Sequence, residues 1–438
     1  MYYIRRKTSS ILLCVVVVYV ILFIYIIIYS DDFLYNQNVV SEMWLHSASD
    51  NYCFPSASAH AQQPLLFKFF YACDKEIVFF DKMFAVVSNV LFESFIRPQN
   101  QTPTSQPSTK FGLRSLSTHC SGVVDITGLH LKEPILTWVK QMKLTERFND
   151  NEKAPVHRDI GLLLSRHDEG NLYHAMTQMY NIVIAKLLLG ISPNRSVVGI
   201  FADDYGSHTI LQELWDSFFQ ETLPLSGESH RKFYFDKLII INSGYEGYLN
   251  HHRLSKLPFV GEFKQYFNSL FGTCSQRKLD CSSINIRVIL RQDGMYRNGT
   301  TKVTERKFYN ERNLLKEIQK SFPSHSVKGL RLENYPMKTQ LLFISKTDFL
   351  IGVHGAGMTF ALFLPEQAGV LELFPLYRDT GNVHYRTISK WRNLHYRAWQ
   401  NFKTENEFPN FQTHFPVRVI AYYIQEFLNS RCKRHSMS

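Results

Sequence analysis

From about residue 160 onward, short apolar runs alternate with segments whose apolar residues recur at helical spacing, and this alternation constrains the fold more than any other feature of the chain. The runs that read as strands are Ser196–Asp203, Phe233–Asn242, Ile284–Arg291, Val327–Glu333, Asp348–Val353, Gly369–Phe374 and Leu394–Trp399. The stretches that read as helices are Ser207–Gln220, Arg253–Phe271, Glu305–Ser321, Met337–Lys346, Tyr385–Arg392 and Pro416–Asn429. Strands this rich in Val, Ile and Leu are buried on both faces, which parallel sheets covered by helices provide. Two such blocks, meeting near residue 285, predict an α/β chain with two Rossmann-like domains facing a cleft. Ligands of such sheets bind beyond the carboxyl ends of the strands. The expected division is a tail over 1–10, a membrane span over 11–29, a stem and irregular region over 30–120, an N-terminal Rossmann-like domain over 121–283, a C-terminal Rossmann-like domain over 284–402, and a closing helix and tail over 403–438. A chain of 438 residues exceeds what one core ordinarily holds, in keeping with this division.

The N-terminus bears on compartment. Ile11 to Tyr29 is an almost unbroken apolar run, about 28 Å long as a helix, enough to cross a bilayer. Arg5, Arg6 and Lys7 precede it, and Asp31 and Asp32 follow it, so the positive-inside rule places the body of the chain in the lumen. The other reading is a cleaved signal peptide, but the run is long for one and no small-x-small cleavage site follows. A type II single-pass anchor is therefore expected. The chain closes on His435-Ser436-Met437-Ser438 without a retention tetrapeptide, which favours the Golgi membrane, with the endoplasmic reticulum as the alternative. Six of the seven cysteines lie beyond the apolar run, a number that allows three disulfides in an oxidising lumen; Cys274 and Cys281 are close enough to close a small loop. Asn100, Asn194 and Asn298 head N-glycosylation sequons. The net charge of +11 includes clusters at both termini, but no basic run is interleaved with aromatics and no zinc-finger spacing occurs, which argues against nucleic acid as a partner.

The strongest local chemistry lies in Asp348–Phe374. A buried strand runs into Gly352-Val353-His354-Gly355-Ala356-Gly357, a helical turn follows, and the next strand ends near Glu372. Glycines allow close backbone approach, and a helix N-terminus offers N–H groups and a positive dipole end to a pyrophosphate. His354 is placed to donate to phosphate, and Glu372 to take the ribose hydroxyls. The alternative is a strand–turn–helix corner whose glycines serve packing alone. The sequence contains no D-x-D motif of the kind that holds a metal on a diphosphate, so arginines and the helix end are expected to carry that charge, with no metal or cofactor required.

These residues resemble glycosyltransferase family 61. The pattern G-x-H-G-A-G-[LM]-T, followed by L-F-L-P and an acidic residue in the next strand, carries the resemblance, which spans roughly 160–402. Asn171-Leu172-Tyr173-His174 resembles the family's N-L-[FY]-H segment, and Arg291, Arg306 and Asn310 match further elements. The resemblance implies a GT-B architecture, inversion, and a UDP-sugar donor bound by Arg291, Arg306, Asn310, His354, Gly355, Ala356, Gly357 and Glu372. Asn171 and Tyr173 would lie on the acceptor side. Segments such as NSGYEGYL and SKWRNLHYRAW are most similar to the β-1,2-xylosyltransferase branch, implying UDP-xylose and a core mannose of N-glycans. GMTFALFLPEQAGVLELFP leans instead to the branches that transfer GlcNAc, to protein hydroxyls or O-mannose glycans. A lumenal glycan-binding protein without turnover is the remaining alternative. For the base, the family's acidic residue four positions after the His is here Gln178, which cannot accept a proton. His174 is then the first candidate, with Asp168 and Glu169 as alternatives.

Overall fold

The computed structural model describes most of residues 69–432. Residues 1–68, 97–115, 146–155, 204–209, 296–300, 433–438 and several shorter segments lie outside the described residues. The apolar run Ile11–Tyr29, all three sequons, Glu169 and Cys274 fall there. Among the described residues no helix is long and apolar enough to cross a membrane. The chain divides into two compact units; the larger, with Phe67–Ile184 and Ser196–Ser438, carries both principal sheets.

The first sheet holds β1 (Phe69–Ala72), β2 (Ile77–Phe80), β3 (Phe84–Glu93), β4 (Leu116–His119), β5 (Lys143–Thr145), β6 (Val156–Leu164), β7 (Val198–Phe201), β8 (Glu221–Pro224) and β9 (Lys232–Ile241). Its main order is β1-β2-β3-β9-β6-β7-β8, with β4 on β3 and β5 on β4. β9, β6, β7 and β8 run parallel, whereas β1, β2 and β3 add as an antiparallel meander. The helices of this half are α1 (Ile135–Gln141), α2 (Leu172–Leu188), α3 (Gln212–Asp216) and α4 (Val260–Leu270). The region expected to be an irregular stem therefore supplies four strands of this sheet from residue 69 onward. The reason lies in its composition: IVFF and FAVVSNVLF bury Ile77, Phe79, Val87 and Phe92 in the same core as Leu163, Phe235 and Ile240.

The second sheet is all parallel. Its strands are β10 (Asn285–Ile289), β11 (Ser326–Leu330), β12 (Phe349–Val353), β13 (Gly369–Phe374) and β14 (His395–Gln400), in the order β11-β10-β12-β13-β14. Its helices are α5 (Glu311–Ser321), α6 (Met337–Ser345), α7 (His384–Trp391) and α8 (Val417–Arg431). β12 and β13 are buried at every position, their apolar sequences interrupted by a single charged residue, Glu372 of β13. Leu314 and Ile318 of α5 and Ile420, Ile424 and Phe427 of α8 pack on Phe349, Ile351 and Leu371, so the C-terminal helix belongs to this core. Cys281 pairs with Cys432, tying the entry to β10 to the end of α8, rather than closing a small loop with Cys274. Cys73 pairs with Cys120 in the first sheet.

In each sheet the strand order reverses once between parallel neighbours. In the second sheet this happens between β10 and β12, whose carboxyl ends lead to Arg291 and to His354-Gly355. In the first it happens between β6 and β9, whose carboxyl ends lead to the loop with Asp168 and to the turn with Tyr245. Such reversal points open a crevice beyond the strand ends, because the connecting helices leave on opposite faces.

Candidate functional site

At the second-sheet reversal, β12 passes through His354 and Gly355 into a 3-10 helix, Ala356–Phe363. The helical turn expected there is present, though in the tighter form. Gly352 and Gly357 serve packing: a Cβ at Gly352 would lie 2.4 Å from the Met358 sulfur, and one at Gly357 3.2 Å from Ile289. Gly355 differs. A Cβ there would stand 2.9 Å from Nη1 of Arg291 and 3.8 Å from Cζ of Arg306, so its bare backbone makes room for both guanidinium groups.

Arg291 follows β10, and Arg306 sits in a left-handed conformation, φ 63°, with its N–H donating to the Tyr377 hydroxyl at 3.1 Å. A left-handed non-glycine residue costs about 1–2 kcal/mol, and here the pairing of Lys307–Phe308 with Gln412–Thr413 holds it in place. Nη1 of Arg291 and Nε of Arg306 are buried without a hydrogen-bond partner. Burial, and then the Arg306 charge, lower the Arg291 pKa, the mark of two cations facing each other with too little counter-charge. Among the described residues no carboxylate makes an ion pair with Arg291; Arg306 has Glu305 at 4.0 Å. Two unpartnered guanidinium N–H groups side by side suit an anion.

Glu372 is the residue expected to take the ribose hydroxyls. Its side chain is fully buried, Oε1 meets His354 Nδ1 at 2.5 Å, and Oε2 accepts from the Tyr396 hydroxyl at 2.6 Å. Both oxygens are hydrogen-bonded inside the protein, where Glu372 holds His354 in orientation. The Asn310 amide is engaged too: its Nδ2 donates to the Phe415 carbonyl at 3.1 Å and its Oδ1 accepts the Phe415 N–H at 3.3 Å, locking the start of α5 to the chain before α8.

At the first-sheet reversal, the loop after β6 is fixed by Arg166. Its backbone N–H and guanidinium donate to Asp203 after β7, both side chains are buried, and the guanidinium lies 4.1 Å from the Phe201 ring centre. Two residues on, Asp168 Oδ1 accepts the N–H groups of Gly170 and Asn171 at 3.0 and 2.6 Å, and Oδ2 binds His174 Nδ1. Burial opposes the charge on Asp168, yet the hydrogen bonds from His174, Asn171 and Gly170 outweigh it and hold its pKa below the usual carboxylate value. Asn171 caps α2, its Oδ1 accepting the Tyr173 N–H at 3.0 Å. The candidates Asp168 and His174 thus form one Asp–His pair, with Nε2 of His174 on the side away from Asp168, toward Tyr245. Gln178 is buried, and its Nε2 donates to the Ser165 carbonyl, so the position expected to carry the family's acid faces the strand end.

Tyr173 is buried, its hydroxyl donating to Asn250 Oδ1 at 2.9 Å and lying 3.2 Å from His252 Nε2. Its ring lies 4.5 Å from that of His384 and 6.0 Å from that of Tyr385, and Tyr385 lies 5.4 Å from His354. These rings join the Asp–His pair of the first sheet to the arginine cradle of the second. Tyr245, His252, His384 and Tyr385 were not singled out from sequence. Tyr245 had a usable sign, since it follows a buried strand in NSGYEGYL; His384 and Tyr385 lie in an ordinary amphipathic helix.

Fold and site together define an α/β protein with two facing guanidinium groups at the reversal point of one sheet and an Asp–His pair at that of the other. Sequence comparison takes this to a family: residues 172–371 match the family model of Glycosyltransferase 61, and this segment is a glycosyltransferase family 61 domain. The chain is 24% identical over 299 residues to the EGF domain-specific O-linked N-acetylglucosamine transferase of Gallus gallus, covering 65% of this chain and 53% of that one. The protein of that name from Mus musculus is 24% identical over 307 residues, 65% and 54% of the two chains. The one from Drosophila melanogaster is 32% identical over 129 residues, 28% and 24%. The chain spans about half the length of the curated relatives it matches. Among solved structures it resembles a flavo di-iron protein mutant from Thermotoga maritima at TM-score 0.23 and 11% identity, over 50% of this chain and 47% of that one, an overlap that supports no argument.

Proposed function

We propose that the chain is an inverting glycosyltransferase of GT-B architecture, its two sheet-bearing halves facing a cleft, that moves a sugar from a UDP-sugar to a glycoprotein. The observation that carries this is the pair Arg291 and Arg306 against Gly355, with buried N–H groups unpartnered, beyond the carboxyl end of a parallel sheet. In this reading the guanidinium groups and the amides of Ala356 and Gly357 receive the charge that develops on the departing UDP. The acceptor oxygen attacks the anomeric carbon from the opposite face, and its proton passes to His174 Nε2 while Asp168 steadies the imidazolium. The arginines take the place of a metal, so the reaction should keep most of its rate in EDTA; complete loss restored by Mn²⁺ would sink the cradle account.

UDP-GlcNAc is the favoured donor, supported by the printed activity of the relatives and by the GlcNAc-type segment around β12 and β13. UDP-xylose with a core mannose of N-glycans is the second reading, favoured by NSGYEGYL and SKWRNLHYRAW. A donor screen read by UDP release decides: UDP-GlcNAc should give the largest acceptor-dependent release, and a preference for UDP-xylose would move the assignment. Tight UDP binding with no release from any donor would leave a glycan-binding protein. We further propose a type II Golgi membrane protein with its body in the lumen, resting on Ile11–Tyr29 and the basic residues before it; digestion of the body by protease in intact microsomes would overturn this.

A further inference from the structure

Tyr245 follows β9 on a single 3-10 turn, Gly244–Glu246. Its hydroxyl lies 2.5 Å from His174 Nε2, the nitrogen left over once Nδ1 meets Asp168. Asp168 can only accept when ionised, so in the neutral imidazole Nδ1 carries the ring proton, Nε2 presents its lone pair, and Tyr245 is the donor. Burial, then the Asp168 charge, raise the Tyr245 pKa, which keeps that donor proton in place. Asn171 Nδ2 approaches the same nitrogen at 3.4 Å, a much weaker contact. The lone pair that an acceptor hydroxyl must reach is therefore already bound.

The backbone beneath Tyr245 is fixed. Gly244 sits so close to α2 that a Cβ would lie 2.0 Å from Thr177 Oγ1, and Asn250 Nδ2 donates to the Tyr245 carbonyl at 3.1 Å. The side chain is not fixed in the same way. It is 38% exposed and touches the His167 ring at 4.7 Å in an edge-on contact, so it can turn outward without repacking a core.

We propose that the Tyr245 hydroxyl holds the acceptor's place on His174 and closes this base to water until an acceptor displaces it. The inference rests on the reading of His174 as base. A bound UDP-sugar is exposed to a wasteful reaction in which water oxygen bonds to the anomeric carbon, the bond from that carbon to the diphosphate oxygen breaks, UDP leaves with the electron pair, and the water proton goes to Nε2. A hydroxyl already on Nε2 denies water that step. An acceptor sugar, with more contacts to offer, can displace it.

The test is Tyr245→Phe, which keeps the ring and removes the hydroxyl. With UDP-GlcNAc and UDP-xylose as probes and no acceptor, UDP release should rise about 10-fold or more, given that base catalysis is typically worth about 10²–10⁴ in rate. The double change Tyr245→Phe with His174→Ala should return release to the wild-type level. Unchanged or slower release in Tyr245→Phe, together with a His174→Ala protein that is folded and transfers poorly, overturns the Tyr245 inference and leaves the base reading standing. A folded His174→Ala protein with full transfer overturns the base reading, and this inference with it. Faster release that persists in the double variant removes His174 from the hydrolysis and overturns the inference as stated.

Discussion

Single side chains separate a ligand role from a structural one at this site. Gly355→Val meets no backbone obstacle, since φ at 162° is extended; the added carbons instead meet Arg291. The arginine tip can move aside, so the thermal midpoint should change little while UDP affinity falls about 10-fold, the loss expected of one charge-assisted hydrogen bond. Normal UDP binding by titration calorimetry would show that the arginines do not hold the diphosphate. Glu372→Gln should behave in the opposite sense. An amide can accept from only one of His354 and Tyr396 and turns an NH₂ toward the other, which costs about 1–3 kcal/mol in a buried place. A lowered thermal midpoint is the expected outcome; an unchanged midpoint with lost UDP affinity would support the ribose role. Gln178→Asp removes the N–H that serves the Ser165 carbonyl and sets a carboxylate against it, so it should destabilise the fold by at least about 1–3 kcal/mol and not activate the enzyme. An active, stable variant in a UDP-release assay would mean that this position reaches the acceptor after all.

At the scale of elements, the most exposed dependency is the loop between β6 and α2, which Arg166 and Asp203 hold from the end of β7. Removing one member of a buried ion pair leaves the other charge uncompensated, typically about 3–5 kcal/mol. Asp203→Ala should therefore lower the denaturant midpoint sharply and disorder the approach to Asp168, and a midpoint within error of wild type would refute that view of the loop. Much of this scaffold was legible in the sequence. The strands of the second sheet were read within a few residues: β12 and β13 stand out as buried, almost wholly apolar runs, whereas β11 (SVKGL) and β14 (HYRAWQ) are only partly buried and were placed by the alternation of strands with helices. Where the reading failed, partners distant in sequence decided the outcome. Phe84–Glu93 looked like stem until its pairing with β9 is seen, and the expected helix from Glu305 starts only at Glu311, because Lys307–Phe308 pairs with Gln412–Thr413. The site shows the same division. Arg291, Arg306, Gly355, Asp168 and His174 were visible as types at motif spacing. The true partners of Glu372, Asn310 and Gln178 were not, since Tyr396, Phe415 and Ser165 carry no local mark of the contact.

Across the whole molecule, the two sheets meet through a cluster of imidazoles and phenols, and this makes cohesion depend on pH. His384 of α7 faces His252 across 2.8 Å, Nδ1 to Nε2, an arrangement that works when at least one of the two nitrogens is free of a proton. Tyr173 and Tyr385 pack around the pair, and His354 and His174 lie near enough to repel a charge on it. Burial first, and then His252, His354 and His174, push the His384 pKa down to about 4; burial and His251 lower that of His252. The sign follows from proton binding. In the unfolded chain these histidines take up a proton near pH 6.5, whereas in the folded protein they resist it, so between about pH 6.5 and 4 the unfolded state binds more protons. Stability contributed by the pair is thus fully present above about pH 6.5 and is lost progressively as pH falls toward 4. Both groups are partly exposed, so solvent screening reduces the effect below what the shift alone would give. The thermal midpoint should fall between pH 7 and pH 5, and His384→Asn, which cannot charge, should flatten that slope even if its midpoint at pH 7 is lower. A slope unchanged by His384→Asn would place the acid sensitivity elsewhere, with the lowered pKa of His167 beside His174 the next group to test.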